Sequence, residues 1–152
     1  MDEKYTFEDL LGKKGYIVYT NVGYSMTPLL RPRKDIIEIH SKEEGRCRKY
    51  DVVLYKRGEM YILHRILKVN DNGYVIAGDH NTFLEYDITD EQILGAMTRI
   101  VRNGREIHMT DPGYRLYVHL WCDFYPVRMA ILRGKAFARR GAGKIKRLIG
   151  RK

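Results

Sequence analysis

A chain of 152 residues, 44% hydrophobic and 31% charged, has the size and composition of one globular domain able to bury a core without staples. Cys47 and Cys122 form no Cys-x-x-Cys pair, and His119 with Cys122 is the only pair at helical metal-ligand spacing, so no disulfide framework, metal or cofactor is expected. The net charge of +9 is uneven: residues 1–112 carry 17 basic against 18 acidic side chains, and residues 113–152 carry 11 against 1, which puts nearly all the excess in the tail.

The first fifteen residues mix acids and lysines and read as no secretory signal. Thr6-Phe7-Glu8-Asp9-Leu10-Leu11 reads as a short helix capped by Thr6 and stopped at Gly12 or Gly15. The uncharged stretch 15–30 contains Thr20, Asn21, Ser25, Thr27 and Pro28; it is too short and too polar to span a membrane, so no transmembrane helix is expected. A cytoplasmic protein, peripheral to a membrane at most, is the expectation. Within that stretch residues 16–20 are β-branched and aromatic and predict a strand. A tight segment follows, Gly23-Tyr24-Ser25-Met26-Thr27-Pro28, in which the glycine allows a turn and the proline keeps a helix from absorbing the serine.

Residues 31–34 read as a loop and 35–40 as a strand, with Ile37 and Ile39 buried and Glu38 wet. Charged, glycine-punctuated 41–49 is a surface loop. Residues 51–55 and 60–69 predict a hairpin closed by Lys56-Arg57-Gly58-Glu59, and 74–77 returns as a strand after the turn at Asp71-Asn72-Gly73. Residues 82–92 read as loop, and strands at 93–101 and 105–109 pair across Asn103-Gly104. So many short strands at short intervals predict a mainly β domain with small helices at its ends. From Tyr114 the period turns helical through Leu116, Leu120, Phe124, Val127 and Ile131, with a break at Pro126. Ile145, Leu148 and Ile149 are the last apolar points of the basic tail.

Three segments stand out in chain order: Ser25 in its turn, Tyr61-Ile62-Leu63-His64-Arg65-Ile66-Leu67, and Ala77-Gly78-Asp79-His80-Asn81. Together they resemble the boxes of the signal peptidase I and LexA-type clan of serine peptidases. Ser25 matches the Ser-Met-x-Pro box, Asp35 begins the strand after it, and Tyr50-Asp51-Val52-Val53 is similar to the strand before the base. His64-Arg65-Ile66 resembles the base box of the Ser-His branch, found in signal peptidases of the endoplasmic reticulum and archaea. Gly78-Asp79-His80-Asn81 matches that branch's Gly-Asp-Asn-Asn except at His80, and Gly95 falls where the closing strand begins. The resemblance covers about residues 15 to 108. It implies a single coiled or barrel-like mixed β catalytic domain over residues 1–112, followed by a helical, basic extension over 113–152. Such peptidases normally carry a membrane-spanning anchor before the serine box, and none is read here.

A serine hydroxyl needs a base to become nucleophilic, and neutral imidazole suits that task. Ser25 is therefore the expected nucleophile and His64 the base, with backbone N–H groups of the turn facing the developing oxyanion. An acid is wanted on the far ring nitrogen: Asp79 is the first candidate, with Glu85 and Asp87 as alternatives. Lys68 lies four residues past the base, too far along the strand to reach Ser25. Tyr24 and Met26 flank the serine and are candidate substrate contacts, core packing being the other reading of Met26. The expected activity is cleavage of a peptide or leader near small residues through a Ser25 acyl-enzyme. The alternative is a non-catalytic regulatory domain of the same fold that uses its basic tail to bind lipid or nucleic acid. LexA-like self-cleavage is a third reading, with no cleavage site singled out in a linker. For the tail, an anionic membrane surface and simple packing on the body are expected ahead of nucleic acid.

Overall fold

A computed structural model describes residues 5–42, 45–124, 126–135 and 137–138. Helix α1 (Phe7–Lys14) starts where the sequence places it. The Thr6 hydroxyl accepts from the Asp9 N–H, the Asp9 carboxylate accepts from the Thr6 N–H, and Gly15 closes the helix in the left-handed region at φ 75°. The strands are β1 (Tyr16–Thr20), β2 (Ile36–Ser41), β3 (Val52–Arg57), β4 (Met60–Asn70), β5 (Gly73–Ala77), β6 (Glu85–Ile88), β7 (Ile93–Arg102) and β8 (Arg105–His108). Helix α2 (Pro112–Cys122) follows, and residues 126–135 are helical again.

The protein is mainly β. Among the described residues eight strands form one sheet in the order β1-β2-β7-β3-β4-β5-β6, with β8 on β7, and every pair is antiparallel. The expected mixed sheet is thus corrected: β3–β4, β4–β5 and β7–β8 are joined by tight turns, and the longer connections that bring β7 between β2 and β3 also return it antiparallel. The path is open, with β1 and β6 at its ends, so the coiled sheet does not close into a barrel. A second correction concerns residues 82–92, which hold β6 and a 3-10 turn (Asp90–Gln92) in place of a plain loop. β6 is four residues of alternating polarity, too short for its period to register.

The centre of the sheet explains the core. Val52, Val53, Leu54 and Tyr55 of β3 are all buried, as a continuous apolar run requires of a strand covered on both faces. Alternation then sorts them. Val52 and Leu54 join a cluster with Ile17, Met26, Leu30, Ile37 and Met97, whereas Val53 and Tyr55 join Ile66, Tyr74, Ile76 and Ile88 on the other side.

Helix α2 belongs to the first cluster through Tyr114, Val118 and Cys122. The expected boundary at residue 112 therefore divides no core. The five residues that carry the helical period point the other way: Leu116 is 61% exposed, Leu120 58%, Phe124 56%, Val127 56% and Ile131 41%. Ile145, Leu148 and Ile149 lie outside the described residues. Among the described residues no helix is long and apolar enough to cross a membrane.

The loop after Ser25 is fastened by Asp35, whose side chain is wholly buried. Arg31 reaches it at 2.7 Å and Arg102 at 2.6 Å, and the Arg31 N–H donates to it at 2.9 Å. Burial alone would raise this carboxyl, but the two guanidiniums outweigh it and hold the pKa at about 2, below the ordinary 3.8. A depressed pKa gives stability that is complete above the unfolded value and lost as pH falls toward the folded one. Replacing Asp35 by Asn should therefore cost roughly 2–3 kcal/mol at pH 7. In urea unfolding the gap between parent and Asp35→Asn should narrow between about pH 4 and pH 2; a gap that is the same at both ends would remove the ion pair from the account.

Candidate active site

Adjacent residues of β4 face opposite sides of the sheet, and the site follows from that alternation. His64 pairs with Val53, and Arg65 with Val52, so the imidazole lies on the Tyr55 side and the guanidinium on the side covered by α2. Each ends beside a different acid.

His64 is buried, and its Nδ1 lies 2.7 Å from Glu85 Oε1. A carboxylate can only accept, so Nδ1–H donates and Nε2 is left as the acceptor. Glu85 is itself held: the Tyr55 hydroxyl donates to its Oε2 at 2.8 Å, and Arg57 reaches the same oxygen. Burial disfavours the charged imidazolium and brings His64 below the ordinary 6.5, with Glu85 opposing the shift. The ring is thus neutral and oriented at pH 7. The same carboxylate, together with burial, pushes the Tyr55 phenol well up.

Asp79, the first candidate for that carboxylate, is elsewhere. It is fully buried in a bidentate pair with Arg65, Oδ1 at 2.8 Å from Nε and Oδ2 at 2.7 Å from Nη2. Tyr117 donates to its Oδ2 at 2.9 Å, and Trp121 Nε1–H donates to its backbone oxygen at 3.0 Å. The Arg65↔Ala77 register carries the chain past β5 so that Asp79 arrives over Arg65 and not over His64. Asp87 is exposed at φ 59°, where the β5–β6 register shifts, and this irregularity breaks the alternation that would otherwise put it on the same face as Glu85. Lys68 is exposed beyond a register shift between Ile66 and Lys68, and lines a separate depression with Asn70 and Tyr86.

The turn carrying Ser25 meets His64 at Gly78. The His80 N–H donates to the Ser25 carbonyl at 2.8 Å. A Cβ on Gly78 would sit 2.6 Å from Ser25 O, 2.9 Å from Asn81 Nδ2 and 3.0 Å from His64 Nε2, so only glycine lets the three groups converge. The Asn81 amide stands 3.4 Å from Nε2. Among the described residues the Ser25 hydroxyl makes no hydrogen bond to the ring. The N–H groups of Ser25 and Met26 likewise donate to no group among them, while the rest of the turn is tied by Thr27 N–H to Tyr24 O at 3.1 Å and Leu30 N–H to Met26 O at 2.9 Å.

Ser25 opens onto a groove of about 380 Å³ lined by Tyr19, Asn21, Gly23, Tyr61 and Leu63. Neither flanking residue lines it. Met26 is 0% exposed and belongs to the core, which corrects its reading as a substrate contact. Its side chain points inward so that Ser25, one residue earlier, can point out. Tyr24 is exposed and lines a neighbouring depression with Thr27, His80 and Trp121.

Three supporting residues escape sequence reasoning. Tyr55 and Arg57 hold Glu85, and their signal is the odd-numbered alternation of β3 shared with Val53, opposite His64. Arg128 is 1% exposed, and its Nη2 donates to Gly78 O at 2.6 Å and Asn81 O at 3.1 Å. Its signal is a basic residue on the inward stripe of Tyr114, Val118, Cys122 and Met129. Among the described residues no group of His, Cys, Asp and Glu is arranged to hold a metal ion. Comparison of the chain with protein-family models, with curated proteins and with solved structures finds no match.

Asp79→Asn should cost about 3–5 kcal/mol, because it leaves a buried guanidinium without its counter-charge. Glu85→Gln should cost clearly less in the same urea titration, since Tyr55 still has an acceptor there. Equal losses for the two would contradict the division of roles between the two acids.

Proposed function

We propose that this chain is a serine endopeptidase of the signal peptidase and LexA type, with Ser25 as nucleophile, His64 as general base and Glu85 as the acid that orients it. The observation that carries the reading is the 2.7 Å contact of Glu85 with His64 Nδ1, which makes Nε2 the accepting nitrogen on the side of the Ser25 turn. In this reading Nε2 takes the hydroxyl proton as Ser25 Oγ attacks the scissile carbonyl, and Glu85 stabilises the resulting imidazolium without being protonated itself. The Ser25 and Met26 N–H groups, unengaged among the described residues, supply donors for the oxyanion. The imidazolium then protonates the leaving amine. Water attacks the acyl-enzyme by the same path in reverse, with Nε2 again as base.

The groove at Ser25 suits an extended peptide. β1 is an end strand of the sheet, so one side of its backbone is open to pair with a substrate strand. Tyr19, Tyr61 and Leu63 offer an apolar wall for alternate side chains.

A second reading has one observation in its favour: the Asn81 amide sits at His64 Nε2, where the serine hydroxyl would bond. On that reading the chain is a binding domain with the framework of a peptidase. The two readings part in a cleavage assay on a mixed peptide library. The peptidase reading expects cuts that Ser25→Ala and His64→Ala each abolish, the loss being at least 10²-fold because nucleophile and base act as a unit. Cutting that survives Ser25→Ala, or none by the parent, favours the binding domain.

The pH dependence has a definite sign. Only neutral His64 accepts a proton and burial lowers its pKa, so kcat/KM should rise through a limb below about 6.5 and be level at neutral pH. Glu85→Gln removes the group that opposes this lowering. It should move the limb to still lower pH while cutting kcat by about 10²-fold or more. A limb that appears only near pH 9 would instead assign the base to a lysine.

A further inference from the structure

The helical segment from residue 112 has two faces, and the peptidase reading uses one. The inner face carries Tyr114, Val118, Cys122, Arg128, Met129 and Leu132, all buried. The outer face carries Leu116, Leu120, Phe124, Val127 and Ile131, which are exposed by 41 to 61% at spacings of three or four residues. The Arg128 N–H donates to Phe124 O at 3.0 Å, an i to i−4 bond that opens the second helical stretch with Pro126 in its first turn. The outer row thus has Leu116 and Leu120 on α2, Val127 and Ile131 on the second helical stretch, and Phe124 in the turn before it. Scattered exposed apolar residues are ordinary, but five large ones on the outward side of two successive helical stretches ask for a cover.

Charge decides which cover fits. Residues 113–152 hold 11 basic side chains and 1 acidic one, and Arg115, Arg133 and Lys135 among them are exposed. A second copy of the chain would bring an equal positive charge against this one. Nucleic acid would match the charge and leave the aliphatic row, Leu116, Leu120, Val127 and Ile131, without a role, since bases stack on aromatic rings. An anionic bilayer surface matches both, taking the apolar row at the level of the acyl boundary and the cations at the head groups.

We propose that the outer faces of α2 and of the 126–135 stretch, with the exposed Arg115, Arg133 and Lys135, dock this protein reversibly on an anionic lipid surface. The inference stands apart from the peptidase reading, because docking requires nothing of Ser25 or His64.

The test is sedimentation of the full chain with vesicles of phosphatidylcholine alone or with about one third phosphatidylserine. Binding is expected to the mixed vesicles at low salt, to fall at least tenfold between about 25 and 500 mM salt as the charges are screened, and to be absent on phosphatidylcholine. The variant Leu116→Gln, Leu120→Gln, Val127→Gln keeps the net charge and the helix propensity and alters exposed positions only. It should unfold at the parent's urea midpoint and bind the mixed vesicles at least tenfold more weakly. Parental affinity in that variant would remove the apolar row from the interface and overturn the proposal. So would the absence of binding by the parent, or tighter binding of the parent to single-stranded or duplex DNA than to the mixed vesicles. Should the triple variant fail to fold, Leu120→Gln alone is read in the same way, with a proportionately smaller loss.

Discussion

The buried pair of Arg65 and Asp79 is the interaction the rest of the structure depends on. Both side chains are 0% exposed, and such a pair costs several kcal/mol of desolvation per ion unless every donor and acceptor is met. Here they are met from three directions. Arg65 also donates to Tyr50 O at 2.9 Å and the Tyr114 hydroxyl at 2.9 Å, and Asp79 accepts from Tyr117. One ion pair thereby ties β4, the loop after β5 and α2 together. Asp79 is one residue from Gly78, so the pair also sets where the loop presents its glycine to Ser25 and His64. A carboxylate in the loop beside the candidate base thus holds that loop in place without touching the ring.

With Asp79 committed, the orienting carboxylate has to come from another element, and β6 supplies it. Glu85 at the start of that strand is flanked by Tyr55 and Arg57 of β3, so a phenol and a guanidinium hold it from one side while His64 takes it from the other. The arrangement is rigid for an electrostatic reason: Oε2 is saturated by Tyr55 and Arg57, which leaves Oε1 for the imidazole. Burial then lowers His64 while the carboxylate limits how far, and the balance leaves a neutral ring with a defined tautomer.

The C-terminal helices are more than an appendage to the sheet. Tyr114, Tyr117 and Trp121 recur at three and four residues on one face and all bond to the Arg65–Asp79 pair or its backbone. Arg128, seven residues further and on the next helical stretch, holds the carbonyls of Gly78 and Asn81. The inner face therefore braces the loop that meets Ser25, while the outer face is left to solvent or a surface. A segment with these two duties would couple what it touches outside to the geometry within, because displacing the inner face uncovers a buried charge pair.

Local pattern in the sequence determined every strand but β6, and their order of appearance. Alternation at Ile37 and Ile39, the turns at Gly58, Asn72-Gly73 and Asn103-Gly104, and the Thr6 cap each rest on neighbours within a few residues, where period and turn chemistry act directly. The turn that holds Ser25 and the hairpin strand that carries His64 were legible for the same reason. What tertiary structure alone decided is which acid meets the ring. Asp79 and Glu85 follow His64 by 15 and 21 residues, and no local rule ranks them. The choice is made by the Arg65↔Ala77 register and by the fact that His64 and Arg65 face opposite sides of β4. The same holds for α2. A run with Leu116, Leu120 and Phe124 on one side and Tyr114, Val118 and Cys122 on the other is helical on either reading. Hydrophobicity favours burying the first row, yet Arg65 requires a hydroxyl acceptor and Asp79 requires hydroxyl and indole donors, and only the second row has Tyr114, Tyr117 and Trp121 beside it. The cost of a buried, unmet charge exceeds the gain from covering a few leucines, and that comparison exists only once the sheet has brought Arg65 and Asp79 together.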